Sequence, residues 1–284
     1  MKLLVFLLLP YLSLSEVGQN FNQCSRFFLK DVPPQFTPPA GVSVQHICQC
    51  VWDDSDQKMY LYATLYSITW RIPIYSAYEF ESHRSIGRCD VWYIEPQLDD
   101  KDADPCMSPK GYKRTIGNKQ AVNSDYKDSK YDKGHLYPVQ HTDNHLSMVA
   151  TSTLTNAAPQ NPTFNRQEWK KHEEDVKDDL KNCNGKAYVV TGVVPDTNIK
   201  IPTKNPRVTV SKYYWRATCC LKNNMFIGQG YYGPDNNGKV QKLSITDLQT
   251  RLAKDYNVNI IIFPNVPSLP GPSNPKKPRQ DGCN

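Results

Sequence analysis

Four chemically distinct residues stand side by side at 132–135, where the chain reads DKGH. The neutral imidazole of a histidine can take a proton from water at neutral pH, which is the work of a general base in hydrolysis. Gly134 has no side chain, so the backbone beside His135 would allow a ligand to approach closely. We therefore predict that His135 activates a water molecule, and we look for residues that would hold a substrate beside it.

An amide and a carboxylate share one face of a predicted helix at 163–181. The residues of that face recur at spacings of four, four, three and four: Asn165, Trp169, Glu173, Val176 and Leu180. A core-facing stripe does not ordinarily accept Asn165 and Glu173 unless they have polar partners or line a cleft. In a purely local alternative, Asn165 is a capping residue and Glu173 pairs with Lys170 or Lys177 one helical turn away.

Three segments resemble, in order and spacing, the signature of the DNA/RNA non-specific endonucleases, whose sites use a ββα-metal motif. They are DKGH at 132–135, TLTNAAPQ at 153–160 and FNRQEWKKHEEDV at 164–176. Two upstream segments, SAYEF at 76–80 and WYIEPQL at 92–98, resemble the secreted vertebrate branch of endonuclease-domain-containing-1-like proteins. The resemblance extends from about residue 24 to residue 264.

The resemblance implies roles for the three residues already singled out. His135 would be the general base, and Asn165 would be the one direct protein ligand of a divalent cation, Mg²⁺ or Mn²⁺. One amide ligand is enough, because magnesium keeps several waters and is often held by few protein atoms plus substrate phosphate. Glu173, two helical turns after Asn165, would hold waters around the cation. The start of the helix would also direct free N–H groups toward a phosphate.

The same resemblance implies a set of substrate contacts, with departures from the family pattern. Lys133 stands where the family's commonest motif has arginine; lysine keeps the charge but loses the planar, two-pronged grip on phosphate, so activity would be lower. Arg88 resembles the family's transition-state arginine. Three further residues are assigned to the substrate side of the site: Asp132, Asn156 and Lys177.

Other polar segments allow two readings. His135, His141 and His145 have a His-x5-His-x3-His spacing that suggests zinc, yet no carboxylate follows the arrangement of a zinc-binding helix and HTDNH is typical of a polar loop. His172 is predicted to be solvated. Seven basic residues with interleaved tyrosines between 110 and 133 suit a phosphate backbone with stacking, or equally a solvated loop: Lys110, Lys113, Arg114, Lys119, Lys127, Lys130 and Lys133.

Strands must position these residues, because strand patterns outnumber helical ones. Aromatic and β-branched runs predict strands at 59–66, 71–78, 187–194, 207–219, 225–232 and 258–263. Two helices are predicted, one at 163–181 with Thr163 as its N-cap and one at 244–256 that starts at Ser244 or Thr246. We predict an α+β fold of the ββα-metal nuclease type, with a central, mostly antiparallel sheet flanked by helices.

The two ends of the chain differ from its middle. Residues 3–13 are nearly all apolar, and small residues precede Glu16, so residues 1–15 have the layout of a secretory signal peptide. No later run is long enough for a membrane span. Residues 16–263 would be the nuclease domain and 264–284 an extended, proline-rich basic tail.

Nine cysteines fit an oxidising compartment. Because the number is odd, one thiol is free or pairs between chains. The pairs Cys48/Cys50 and Cys219/Cys220 are too closely spaced for zinc. The net charge of +6 is mild; it is compatible with an anionic partner and equally common among other soluble proteins.

The sequence thus predicts a secreted, metal-dependent endonuclease acting on DNA or RNA with little sequence preference, since contacts to phosphate carry no sequence information. A catalytically silent extracellular nucleic-acid-binding protein with the same fold is the alternative, and the presence of lysine at position 133 keeps it open.

Overall fold

An eight-stranded antiparallel sheet forms the centre of the protein. The computed structural model describes residues 16–81, 91–109, 117–222, 225–264 and 266. The strands of these residues are β1 (Val17–Gly18), β2 (Gln35–Phe36), β3 (Val44–Trp52), β4 (Lys58–Ser67), β5 (Ile72–Glu79), β6 (Asp132–His135), β7 (Ala157–Gln160), β8 (Ala187–Ile201), β9 (Val208–Lys222), β10 (Met225–Pro234), β11 (Gln241–Leu243) and β12 (Ile260–Ile261). Across the large sheet their order is β1-β3-β4-β5-β8-β9-β10-β11.

The predicted mostly antiparallel sheet is confirmed, with two local differences. Strand β3 was not predicted, because Gln49 and its flanking cysteines interrupt the apolar pattern; all three are buried, and Gln49 is hydrogen-bonded to Tyr62. The apolar run at 258–263 pairs only through the two residues of β12, since its partner β2 is equally short.

Helices lie in the connections between the strands. They are α1 (Pro96–Asp99), α2 (Asn123–Tyr126), α3 (His145–Thr151), α4 (Pro162–Phe164), α5 (Lys170–Leu180) and α6 (Ile245–Tyr256). A widened π-helical turn, Asn165–Trp169, joins α4 to α5 into one continuous helix. Ser244 caps α6 by accepting a hydrogen bond from the Asp247 N–H. None of the described helices is long and apolar enough to cross a membrane.

The helix that carries Asn165 starts earlier than predicted. Asn161, rather than Thr163, is its N-cap: the Asn161 Oδ1 atom accepts hydrogen bonds from the N–H groups of Thr163 and Phe164. An amide oxygen two or three residues upstream reaches these donors more directly than a threonine inside the first turn. The apolar members of the predicted face, Trp169 and Val176 among them, are buried against the sheet as expected.

Three disulfides are present among the described residues: Cys24–Cys48, Cys50–Cys106 and Cys183–Cys220. The disulfide reading of the cysteines is thereby confirmed. Cys219 is a buried free thiol, and burial raises its pKa to about 12, so it is a poor nucleophile at neutral pH. Cys89 and Cys283 lie outside the described residues.

Glu16, the predicted first residue of the mature chain, is anchored in the protein interior. Its backbone N–H donates to Gln97 Oε1 at 2.9 Å, and its carboxylate accepts from the Cys50 N–H at 2.6 Å. The Glu95 carboxyl group faces it, and both side chains are inaccessible to solvent. Burial, together with the charge of the neighbouring acid, raises the pKa of Glu16 well above its usual range, and burial raises that of Glu95. Glu95 and Gln97, both in the WYIEPQL segment, therefore contact Glu16 and hold it in place.

We expect Glu95→Gln to stabilise the protein increasingly as pH rises. A carboxyl group whose pKa is raised on folding keeps its proton in the folded state where the unfolded chain has lost it, so wild-type stability falls with rising pH. Glutamine removes one of the two acids. Melting temperatures at pH 5 and pH 8.5 should show a larger variant-minus-wild-type difference at pH 8.5, whereas Glu79→Gln, which removes a half-buried carboxylate paired with Lys186, serves as the control. An equal difference at both pH values would contradict a raised pKa of Glu95 in the folded protein.

Candidate active site

The DKGH segment lies on a short two-stranded ribbon beside the large sheet. Strands β6 and β7 pair antiparallel, with Asp132 opposite Gln160 and His135 opposite Ala157. The chain then turns at Asn161 into the continuous helix α4–α5, so two strands and one helix form a ββα unit. The Tyr214 hydroxyl of β9 donates to the carbonyl of Ala158 at 3.1 Å and attaches the ribbon to the sheet.

Gly134 is required by packing rather than by a ligand. A Cβ atom at this position would lie 2.2 Å from Gln160 Oε1 and 2.7 Å from the Tyr214 hydroxyl, distances that no side chain tolerates. Gly134 is also buried. The prediction that it lets a ligand approach the backbone is therefore wrong: the space is already occupied by the neighbouring strands.

One pocket is lined by four of the eight predicted site residues. It has a volume of about 350 Å³, and its lining is Lys133, His135, Pro138, Val139, Gln140, Asn165, Arg166, Lys170 and Glu173. A larger cavity of about 700 Å³ lies between residues 128–131 and the arm at 197–206, and none of the predicted site residues lines it. The ββα unit thus brings His135 to the same pocket as Asn165 and Glu173, which lie 30 or more positions further along the chain.

Asp132 fixes the direction of the Asn165 amide. The Nδ2 atom of Asn165 donates to Asp132 Oδ2 at 3.0 Å. Because an ionised carboxylate only accepts hydrogen bonds, the amide nitrogen must face Asp132, and this leaves the Oδ1 atom available to the pocket. The same carboxylate is gripped by Arg166, with Nε at 2.8 Å and Nη2 at 2.7 Å. Asp132 therefore orients two pocket residues at once.

The start of the helix does not offer free N–H groups. Asn161 satisfies the N–H groups of Thr163 and Phe164 through its side chain, and its carbonyl accepts from the Asn165 N–H at 2.9 Å. Pro162 has no N–H. The expectation that the first turn would bind a phosphate through its backbone is therefore not supported, and positive charge must come from side chains.

Glu173 is paired with an arginine from the sheet. Its Oε1 atom lies 3.5 Å from Nη2 of Arg216 on β9, whereas the local alternative placed it with Lys170 or Lys177. Burial raises the pKa of Glu173 to about 7, and the charge of Arg216 opposes that rise. The side chain retains 12% exposure, toward the pocket.

His141 is a buried structural residue. Its Nε2 atom lies 3.0 Å from the Glu173 carbonyl, which can only accept, so Nε2 carries the proton and Nδ1 accepts from the Tyr78 hydroxyl at 2.9 Å. Burial holds the pKa of His141 well below its usual range. Both ring nitrogens are hydrogen-bonded, so His141 does not fit the zinc alternative. The HTDNH segment, interpreted above as a polar loop, therefore begins with a buried residue.

His172 is likewise enclosed, contrary to the prediction that it is solvated. It packs between the rings of Trp169 and Tyr231, with ring centroids at 4.8 and 4.5 Å. An aromatic pocket accepts a neutral imidazole, and burial holds the pKa of His172 well below its usual range.

Aromatic rings form the floor beneath Lys133. Its ammonium lies 5.1 Å from the centroid of Trp92 and 5.6 Å from that of Tyr126, and burial lowers its pKa. The Trp92 ring also lies 4.9 Å from the ring of His135. Trp92 opens the WYIEPQL segment, so this segment contributes directly to the site.

Four predicted site residues do not line the pocket, and one of them, Asp132, contacts it only through Asn165 and Arg166. Asn156 is completely buried: it accepts from the Tyr137 N–H and donates to the carbonyls of Tyr137 and Thr151 at 3.0, 3.0 and 2.8 Å, so the geometry does not support substrate contact. Lys177 is half-buried and does not line the pocket. Arg88 lies outside the described residues, as do three members of the predicted basic run, Lys110, Lys113 and Arg114.

Sequence reasoning missed three cations of the site. Arg166 and Lys170 are four residues apart, and Glu173 follows after three more, so helical periodicity alone would have placed them on one face. Arg216 carried a different signal, because it is the single charge within the apolar segment YYWRATCC. A charged residue inside a central strand is costly unless it is paired, and this marks it as a residue with a specific partner.

Comparisons with known proteins identify the family of this chain. Residues 53–266 match the family model described as DNA/RNA non-specific endonuclease. The human endonuclease domain-containing 1 protein is 33% identical over 220 residues, covering 72% of this chain and 40% of the human protein. The mouse protein of the same name is 33% identical over 211 residues, covering 71% and 39%. A nuclease of Nostoc is 30% identical over 147 residues, covering 51% of each chain. The chain thus spans less than half the length of its two mammalian relatives.

A solved structure shares the fold. The crystal structure of the EndoG/EndoGI complex, which addresses the mechanism of EndoG inhibition, matches with a TM-score of 0.54 at 18% identity and covers 76% of this chain and 89% of that chain. At this level of identity the likeness concerns the fold. With the ribbon β6–β7 and the helix α4–α5, it confirms the predicted α+β architecture of the ββα-metal type.

Proposed function

Because this chain belongs to the DNA/RNA non-specific endonuclease family, we propose that it is a secreted endonuclease that hydrolyses phosphodiester bonds in DNA or RNA with the help of a divalent cation. The observation that carries the proposal is the Asp132–Asn165 contact, which leaves an amide oxygen facing a pocket that His135 and Glu173 also line.

The residues present fit a hard, oxygen-seeking cation. Asn165 offers a neutral oxygen and Glu173 a carboxylate, and the pocket of about 350 Å³ leaves room for water around an ion. Asn165 would hold Mg²⁺ or Mn²⁺ directly, and Glu173 would accept hydrogen bonds from surrounding water. Such a cation, when bound, would neutralise charge on the phosphate oxygens and on the leaving oxygen.

His135 would take the proton from the attacking water. Its ring lies tilted against the ring of Trp92, with centroids 4.9 Å apart, which restricts its orientation. The N–H group of the following residue, Leu136, donates to the Asn156 carbonyl at 2.9 Å. The backbone of Asn156 thereby holds the chain directly after His135 in place. A base held in one orientation needs no further ordering when the reaction occurs.

Phosphate would be held by the cationic side chains of the pocket: Lys133, Arg166 and Lys170. The guanidinium of Arg166 donates two N–H groups to Asp132, which leaves three N–H groups for a ligand. It therefore offers phosphate a planar group near Lys133, which lacks one. Arg88 and Lys177 remain candidates from the family resemblance. Charged contacts to phosphate do not discriminate between bases, which supports cleavage with little sequence preference.

Secretion is supported by the three disulfides and by the apolar segment at 3–13. We propose that residues 1–15 are removed, that 16–263 form the nuclease domain and that 264–284 are a basic tail. Amino-terminal sequencing of secreted protein should begin at or next to Glu16, and a sequence that begins at Met1 would contradict this processing.

Cleavage of supercoiled plasmid and of structured RNA by the purified mature protein tests the activity. We expect cutting of at least one substrate in Mg²⁺ or Mn²⁺, complete loss in EDTA, and recovery when the cation is added back. Binding of both nucleic acids without cutting under any of these conditions would instead support the catalytically silent alternative.

A further inference from the structure

Arg216 is a charge buried beneath the site. It lies on β9 in the middle of the large sheet and has no solvent exposure. Its Nε atom donates to Thr191 Oγ1 at 2.8 Å, and its guanidinium lies 4.9 Å from the Trp169 ring centroid. The Nη1 atom has no hydrogen-bond partner within the described part of the chain. A guanidinium that the fold leaves partly unsatisfied is a poor choice for stability alone.

The Nη2 atom of Arg216 lies near both elements that carry the candidate catalytic residues. Nη2 lies 3.5 Å from the carbonyl of Leu136, the residue after His135, and 3.5 Å from the Glu173 carboxylate. The first group belongs to the chain that leaves β6, and the second belongs to α5. The guanidinium therefore spans the ribbon and the helix at the position where they approach each other, and its plane is set by Thr191 and Trp169.

The charge of Arg216 acts on two buried histidines. His141 and His172 flank it, and burial, reinforced by the charge of Arg216, holds the pKa of both imidazoles well below the usual range. The hydrogen bond from His141 to the Glu173 carbonyl fixes the backbone of the same residue whose side chain Arg216 contacts. His141 thus holds the backbone carbonyl of Glu173, and Arg216 on β9 holds its carboxylate.

We propose that Arg216 is a positioning residue that acts through Glu173, holding this carboxylate directed at the cation site. This inference rests on the proposed nuclease function of the pocket. The physical reason is that a carboxylate with only 12% exposure is costly to hold in one orientation without a partner, and Arg216 contacts it at 3.5 Å. Arg216 itself lies behind the pocket and does not line it.

The proposal predicts an effect on the cation and on turnover rather than on nucleic-acid binding. Arg216→Met should weaken Mn²⁺ binding and lower kcat about 10- to 100-fold, as is typical when a residue that orients a metal's surroundings is lost. KM should stay within about two-fold, because no contact with nucleic acid is removed. Arg216→Lys keeps the charge and should recover part of the loss.

A double-mutant cycle with Glu173 tests whether Arg216 acts through that carboxylate. Turnover is measured for the wild type, Arg216→Met, Glu173→Gln and the double variant, and Mn²⁺ affinity is measured by calorimetry without nucleic acid. We expect Arg216→Met to cost little further activity once Glu173 is glutamine, since the two substitutions remove the same interaction. An equal fold-loss in both backgrounds, or unchanged Mn²⁺ affinity in Arg216→Met, would overturn the proposal.

Arg207 supplies a matched control for the loss of a buried arginine. It pairs with Asp125, and the two side chains are 16% and 5% exposed, yet the pair lies away from the pocket. Arg207→Met should lower the melting temperature without changing kcat or Mn²⁺ affinity. If Arg216→Met fails to fold, the double variant with Glu173→Gln, which leaves no unpaired carboxylate, and Arg216→Lys provide the same comparisons. Absence of cleavage by the wild type would refute the nuclease function, while calorimetry would still decide the role of Arg216.

Discussion

Replacing His135 by alanine is expected to lower the turnover of nucleic-acid cleavage about 10²- to 10⁴-fold, the usual effect of losing a positioned general base. Affinity for nucleic acid should change little, because the imidazole acts on water and the phosphate contacts come from Lys133, Arg166 and Lys170. Cleavage of plasmid under single-turnover conditions, together with binding of a fluorescent oligonucleotide, separates the two effects.

His145 provides the control for this experiment. It is an exposed histidine at the start of α3 and lies outside the pocket, so His145→Ala should leave both cleavage and binding at wild-type values. A His135→Ala protein that cuts at the wild-type rate would remove His135 from the mechanism.

Replacing Asn165 by alanine is expected to lower activity about 10²-fold and to raise the Mg²⁺ concentration that gives half-maximal cleavage. Water can take the place of the lost amide oxygen, but it does not fix the cation against the phosphate, and small errors of position are costly in catalysis. Loss of the amide also releases Asp132, so Arg166 would retain the whole carboxylate. A magnesium titration of cleavage beside a melting curve measures both consequences.

Asn161 is the matched comparison because it is the asparagine that caps the helix. Asn161→Ala should lower the free energy of unfolding by about 1 kcal/mol while leaving the magnesium midpoint unchanged. If Asn165→Ala instead behaves like Asn161→Ala, melting early but cutting normally at the same magnesium midpoint, Asn165 is not the cation ligand.

Short-range features of the site followed from the sequence. Asn165 and Glu173 are eight residues apart, and helical periodicity brings residues at that spacing to one face whatever the surroundings are. Strands β4, β5, β8, β9 and β10 followed from aromatic and β-branched runs, because such side chains suit a pleated, half-buried surface. Local rules were weaker at the ends of helices. Thr163 and Asn161 are both acceptable N-cap residues by type, and only the path of the turn after β7 decides between them.

Long-range partners were decided by the tertiary structure. Arg216 meets Glu173 across 43 positions of sequence because strand register places that one residue of β9 beneath α5. Asp132 reaches Asn165 and Arg166 because β6 and β7 pair in the register that sets Asp132 opposite Gln160. Periodicity specifies which face a residue occupies, but it contains no information about which distant residue that face will meet. The sequence by itself therefore determined the types of the candidate site residues and their local spacing, whereas sheet register and helix packing decided their partners, their burial and the packing role of Gly134.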